Sequence, residues 1–139
     1  MSAQGSSAQG SSAEGSSAEG SRAQGSSAPH ITAASQLGDL QDWGPVTSPI
    51  GEASRTAGVV LQRGADGRSE YGVWTCTPGS WHCEVERDEF CYFLAGRATY
   101  THESGEVIEV AADVAAFFAA GWRGRCDVHD TVRKVYAIH

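Results

Sequence analysis

From Gly58 onward the chain alternates apolar and polar residues with a period of two, in short runs broken by Gly, Pro, Asp and Ser. The runs are Gly58 to Arg63, Ser69 to Cys76, two central runs inside the stretch Trp81 to Gly96, then Arg97 to His102, Glu106 to Val110, Val114 to Phe118, Arg125 to His129 and Val132 to Ile138. In the first central run Ser80, His82, Glu84 and Glu86 point to one side, and Trp81, Cys83 and Val85 to the other. After Arg87 and Asp88 the alternation resumes, with Glu89, Cys91, Phe93 and Ala95 on one face and Phe90, Tyr92 and Leu94 on the opposite one. Both faces of this second run are largely apolar, which predicts a strand buried on both sides and closed by a turn at Gly96. Turns such as GADG (Gly64 to Gly67), TPG and ESG separate the runs, and no stretch has helical periodicity. Eight or nine short strands in this arrangement read as an all-β domain, either a closed barrel or a double sheet.

The first third of the chain differs. Residues 2 to 28 repeat SAQGS and SAEGS units with no apolar face to bury, so residues 1–28 are expected to form a disordered tail. Residues 29–56 bring Ile31, Leu37, Leu40, Trp43, Val46 and Ile50 among Gly, Asp and Pro, the composition of an arm that docks on the domain formed by residues 57–139. Trp43 would anchor that arm, either on a partner subunit in a homodimer or on its own domain.

A formal net charge of −7, with no basic run, argues against a nucleic-acid partner. No apolar segment is long enough to span a membrane, and the N-terminus lacks the basic and apolar regions of a secretory signal. A cytoplasmic location is the default expectation. Four irregularly spaced cysteines without a CxxC pair are expected to be reduced thiols packed as small apolar residues.

Three features carry candidate chemistry. Glu89 sits at the mouth of a buried strand, where a carboxylate needs a partner, a metal or a proton. Lys134 is the only lysine in the chain and shares a strand face with Tyr136 and Ile138. Trp74 shares a face with Gly72 and Cys76. If these faces point inward beside Glu89, they make a pocket with an apolar wall, a cation, a phenol and a carboxylate. The structural alternative is a Lys134–Glu89 ion pair capped by Tyr136.

His82, Glu84, Glu89 and Gly96 are spaced as in the first cupin motif, and DVAAFFAAGWRG, Asp113 to Gly124, resembles the second, with Ala119 and Gly124 in place of its Pro and last His. Together with TPG, EFCYFLAG, AAGWRG and TVRKVYAI, these segments resemble the small single-domain cupins grouped with the (S)-ureidoglycine aminohydrolase cupin domain, over roughly residues 57 to 138. The resemblance implies a double-stranded β-helix, the jelly-roll cupin barrel. It leaves two classes of function. One is a binding module for a small polar or anionic metabolite, with Trp74, Glu84, Cys91, Trp122 and Tyr136 lining the site, Glu89, Lys134 and His82 as the groups able to move protons, and no cofactor. The other is a metal-dependent small-molecule enzyme, aminohydrolase-like or isomerase-like, in which His82, Glu84 and Glu89 hold a divalent transition metal.

Overall fold

The computed structural model describes residues 28–139. The predicted tail lies almost wholly outside the described residues. The described residues are nearly all β, with one 3-10 turn at Ala34–Gln36 and nine strands among them. These are β1 (Gln41–Pro45), β2 (Pro49–Ile50), β3 (Arg55–Arg63), β4 (Glu70–Cys76), β5 (Gly79–Glu84), β6 (Glu89–His102), β7 (Val107–Val110), β8 (Ala115–Phe118) and β9 (Arg123–Ile138).

Two long strands form the spine of the curled sheet. β9 pairs along β6 on one edge, and on its other edge pairs with β5 through residues 123–128 and with β4 through residues 132–138. β3 and β1 extend the β4 side, β2 extends β5, and β7 and β8 pair with β6. The sequence suggests a turn at Gly96 and two separate runs in each of these long strands. The structure keeps each strand continuous. Gly96, at φ +89°, bends β6 through a bulged register against β9. A Cβ at this position would lie 2.1 Å from the Thr131 carbonyl oxygen, so only glycine lets the two backbones approach.

The odd-numbered faces of both central strands point inward. Trp81, Cys83, Val85, Cys91 and Phe93 join Trp74, Cys76, Tyr100, Phe118, Cys126, Val132 and Tyr136 in one core. None of the four cysteines is in a disulfide, and all are buried there. Burial pushes the Cys76 and Cys83 thiols up to about 12, which keeps them protonated and inert at neutral pH.

A second, smaller cluster lies on the outer face, where Val59, Val60 and Val73 are covered by Ile31, Ala34, Leu37 and Trp43. The arm therefore folds over its own domain, with β1 added to β3 as an edge strand. Arg133 ties the 3-10 turn down by donating to the Ala34 carbonyl at 2.8 Å. The expectation that the second central strand is buried on both faces does not hold: Tyr92 and Leu94 are half-buried and Phe90 is 49% exposed, in one cross-strand row with Tyr71, Ala137 and the exposed Phe117.

Candidate functional site: a buried ion pair in the barrel

Strand register brings the inward-facing polar residues together. Trp74, Lys134 and Phe93 are cross-strand neighbours in one row, Gly72, Tyr136 and Cys91 in the next, and Glu70, Ile138 and Glu89 in the third. Each row alternates inward with its strand, so a lysine on β9 meets a tryptophan on β4 and a phenylalanine on β6. Gly72 leaves room for the Tyr136 ring, since a Cβ there would lie 2.9 Å from the phenol oxygen.

Lys134 Nζ donates to Glu89 Oε2 at 2.6 Å, and both residues are 4% exposed. The ammonium also lies 4.4 Å from the centre of a Trp74 ring and 5.8 Å from that of Phe93, two cation–π contacts in a dry setting. The Cys91 thiol donates to the same carboxylate oxygen at 3.5 Å. Burial alone would lower the affinity of Lys134 for its proton. The adjoining Cys91 and the Glu89 carboxylate outweigh burial and hold the lysine above its ordinary range. At neutral pH, where the thiol is protonated, the carboxylate is the operative partner.

A second buried pair adjoins the first. Tyr136 donates from its hydroxyl to Glu70 Oε2 at 2.7 Å, and Arg63 approaches the other Glu70 oxygen at 3.5 Å. Burial, then the Glu70 carboxylate, raises the Tyr136 phenol well above its usual value, so it remains a donor. Trp81 packs edge-on against Trp74 with ring centres 6.5 Å apart. Its buried indole N–H has no acceptor among the described residues.

The sequence-derived candidates divide into two places. Glu89, Lys134, Trp74, Cys91 and Tyr136 converge inside the barrel. His82 and Glu84 do not join them. Both are exposed on the outer face of β5, while their neighbours Trp81, Cys83 and Val85 point inward. The ligand set His82, Glu84 and Glu89 therefore does not converge, because two of its members occupy even positions whose side chains leave the barrel. Among the described residues no group of three or more His, Cys, Asp or Glu side chains is placed to hold a metal ion. Trp122 packs elsewhere, edge-on against Phe118 and Tyr100 and tilted against His102. Glu70 and Arg63 escaped the sequence reading, although Glu70 has the same parity as Gly72 and Trp74 and was detectable on that ground.

Residues 63–136 match the model of the EutQ-like cupin domain. The chain belongs to the EutQ-like cupin domain family. Solved structures share the fold of this cupin at low identity. A protein of unknown function from the DUF861 family of Pseudomonas syringae pv. tomato superposes with a TM-score of 0.68 at 23% identity, covering 74% of this chain and 45% of its own. This cupin thus spans less than half of that protein. The EutQ protein of Clostridium difficile gives a TM-score of 0.54 at 16% identity, covering 62% of this chain and 68% of that one. A Salmonella typhimurium structure described as ethanolamine utilization protein Q gives 0.55 at 20%, covering 68% and 76%. None of the curated proteins matches the chain.

Proposed function

We propose that this cupin is a binding module that takes a small polar or anionic metabolite into the barrel. The supporting observation is the Lys134–Glu89 pair, a cation held over Trp74 and beside the Tyr136–Glu70 pair in an interior lined mainly by apolar residues. A buried ion pair contributes little net stability compared with well-packed apolar residues, so its retention is better explained by recognition than by folding. A carboxylate or carbonyl oxygen on the ligand shares the ammonium, which has donors beyond the one given to Glu89. The flat or apolar part of the ligand lies on Trp74, and the Trp81 N–H offers a second donor. The resemblance to ureidoglycine aminohydrolase cupins favours a nitrogenous or carbonyl compound. It also keeps a second reading in view, in which Glu89 moves a proton on the bound molecule, since the carboxylate is already hydrogen-bonded to a potential proton partner.

The test uses acetate, glyoxylate and oxamate as probes in a thermal-shift titration of the full chain. The doubly neutral variant E89Q/K134M leaves no unpaired charge behind, so it separates loss of binding from loss of folding. Stabilisation of the wild type by at least one probe, absent in the folded double variant, supports the proposal. Equal stabilisation of both proteins contradicts it.

The same reading includes a homodimer. Its support is the exposed row Tyr71, Phe90 and Phe117, an apolar strip that a second copy set against this face would cover. Light scattering at micromolar concentration should return two chains for the wild type and one for Phe117→Asp. A monomeric wild type refutes it.

A further inference from the structure

A groove of about 470 Å3 runs across the outer ends of β5, β9 and β6, on the face opposite the core. This volume lies within the range of small-molecule sites. Gly124, paired with both Cys83 and His102, contributes backbone to it. A Cβ there would lie 2.2 Å from the Thr101 carbonyl oxygen and 2.8 Å from the Trp122 ring, so only glycine fits on the barrel side of this strand. His82, Glu103, Arg123 and Arg125 also line it.

The charges in the groove are not matched to one another. Arg125 is engaged, donating from Nε to Asp127 at 2.9 Å, while Ser80 donates to the same oxygen at 2.5 Å. Glu103 and Arg123 are held together by a backbone hydrogen bond, Glu103 N to Arg123 O at 3.0 Å. Their side chains nevertheless form no ion pair or hydrogen bond with each other or with any other described residue. Two opposite charges kept close but unjoined on one groove are complementary to a ligand that carries both signs. A simple anion would meet the Arg123 guanidinium but also the repulsion of Glu103, in a protein of net charge −7. A zwitterion offsets that repulsion, because its carboxylate suits the planar fork of Arg123 and its ammonium suits Glu103.

We propose that this groove binds a small zwitterion, a compound bearing a carboxylate and an ammonium group on one short chain. The proposal is independent of the interior site.

Isothermal titration of the full chain tests it with β-alanine, 4-aminobutyrate and 6-aminohexanoate, three zwitterions of increasing charge separation. Propionate and butylammonium serve as single-charge controls. At least one zwitterion should bind about tenfold more tightly than either control, and Arg123→Gln and Glu103→Gln should each weaken it by about tenfold, the size expected for one charge-assisted hydrogen bond. Backbone amide signals of Thr101 and Gly124 should move on binding. Both variants alter exposed positions, so their melting temperatures should stay at the wild-type value. Two results overturn the proposal: propionate binding as tightly as the zwitterions with Glu103→Gln without effect, or no zwitterion binding at its highest soluble concentration.

Discussion

The two halves of β9 treat charge in opposite ways. The half that pairs with β4 carries Lys134 inward, where it is enclosed by Trp74 and Phe93 and joined to Glu89 at 2.6 Å. The half that pairs with β5 carries Arg123 and Arg125 outward onto a groove, where the Arg123 guanidinium has no ion pair or hydrogen bond among the described residues. A charge inside the barrel must be paired, because an isolated one costs several kcal/mol. A charge at the surface gains only about 0–1 kcal/mol from pairing, so adjacent opposite charges can remain apart. The contrast separates two kinds of candidate site, one preorganised and dry, the other open and wet.

The largest effect should come from breaking the inner pair on one side. Glu89→Ala leaves the ammonium buried and uncompensated and should lower unfolding free energy by about 3–5 kcal/mol in urea titration. E89L/K134M removes both charges and should recover most of that loss. If the single and double variants are equally destabilised, the pair is not behaving as a buried ion pair. By contrast, Arg123→Gln should change stability by no more than about 0.5 kcal/mol.

The bend that lets β6 serve both halves is the next point of attack. Gly96→Ala puts a Cβ against the Thr131 carbonyl at a φ of +89° and should reach the upper part of the roughly 1–3 kcal/mol range for strained positions. Gly121→Ala, at φ +95° with open space around it, should fall near the bottom of that range. Equal effects would show that backbone conformation alone, and not the close approach to β9, fixes the bend.

Most of the strand pattern and the inner cluster were legible in the sequence, because period two carries the facing of each residue with it. The parity of Glu89 and Cys91 on one strand, and of Lys134 and Tyr136 on another, was enough to suggest that they meet. The same parity told against His82 and Glu84 as companions of Glu89, but motif spacing counts residues and does not record which way they face. Gly96 looked like a turn because a glycine that ends a strand and one that bends it read alike. The exposure of Phe90 depends on what packs over the outer face of β6, and the groove on which outward residues of β5, β6 and β9 fall beside one another. Both are matters of long-range register, which local alternation does not contain.

Smaller effects sharpen the distinction between dry interior and wet surface. All four thiols are buried, with Cys76 and Cys83 raised to about 12, so a thiol reagent at pH 8 should label none of them in the folded protein and all four in urea. Rapid labelling of the native state would show that the interior opens readily. At the surface, Asp66 accepts hydrogen bonds from the Arg68 and Ser69 amides and the Ser69 hydroxyl, which lower its pKa from 3.8 to about 2. A depressed carboxylate stabilises the fold above its unfolded pKa and loses that contribution as pH falls toward the folded value. The stability difference between wild type and Asp66→Asn should therefore be present at pH 6 and shrink between about pH 4 and pH 2. A difference independent of pH would assign it to something other than the charge.

The central claim is that Lys134 remains a charged donor inside the barrel, and the chain contains only one lysine on which to test it. A raised lysine pKa stabilises the folded state fully below the unfolded value and loses that effect only as pH passes the folded one. A lysine-selective nitrogen spectrum should thus show a single Nζ signal, with no titration step up to about pH 10.4, the unperturbed value. Its ammonium protons should exchange slowly with water, and addition of a binding carboxylate such as glyoxylate should shift the signal. An Nζ signal that titrates well below that pH, or one that does not respond to any of the carboxylates that stabilise the protein, would contradict the assignment of Lys134 as the ligand-binding cation.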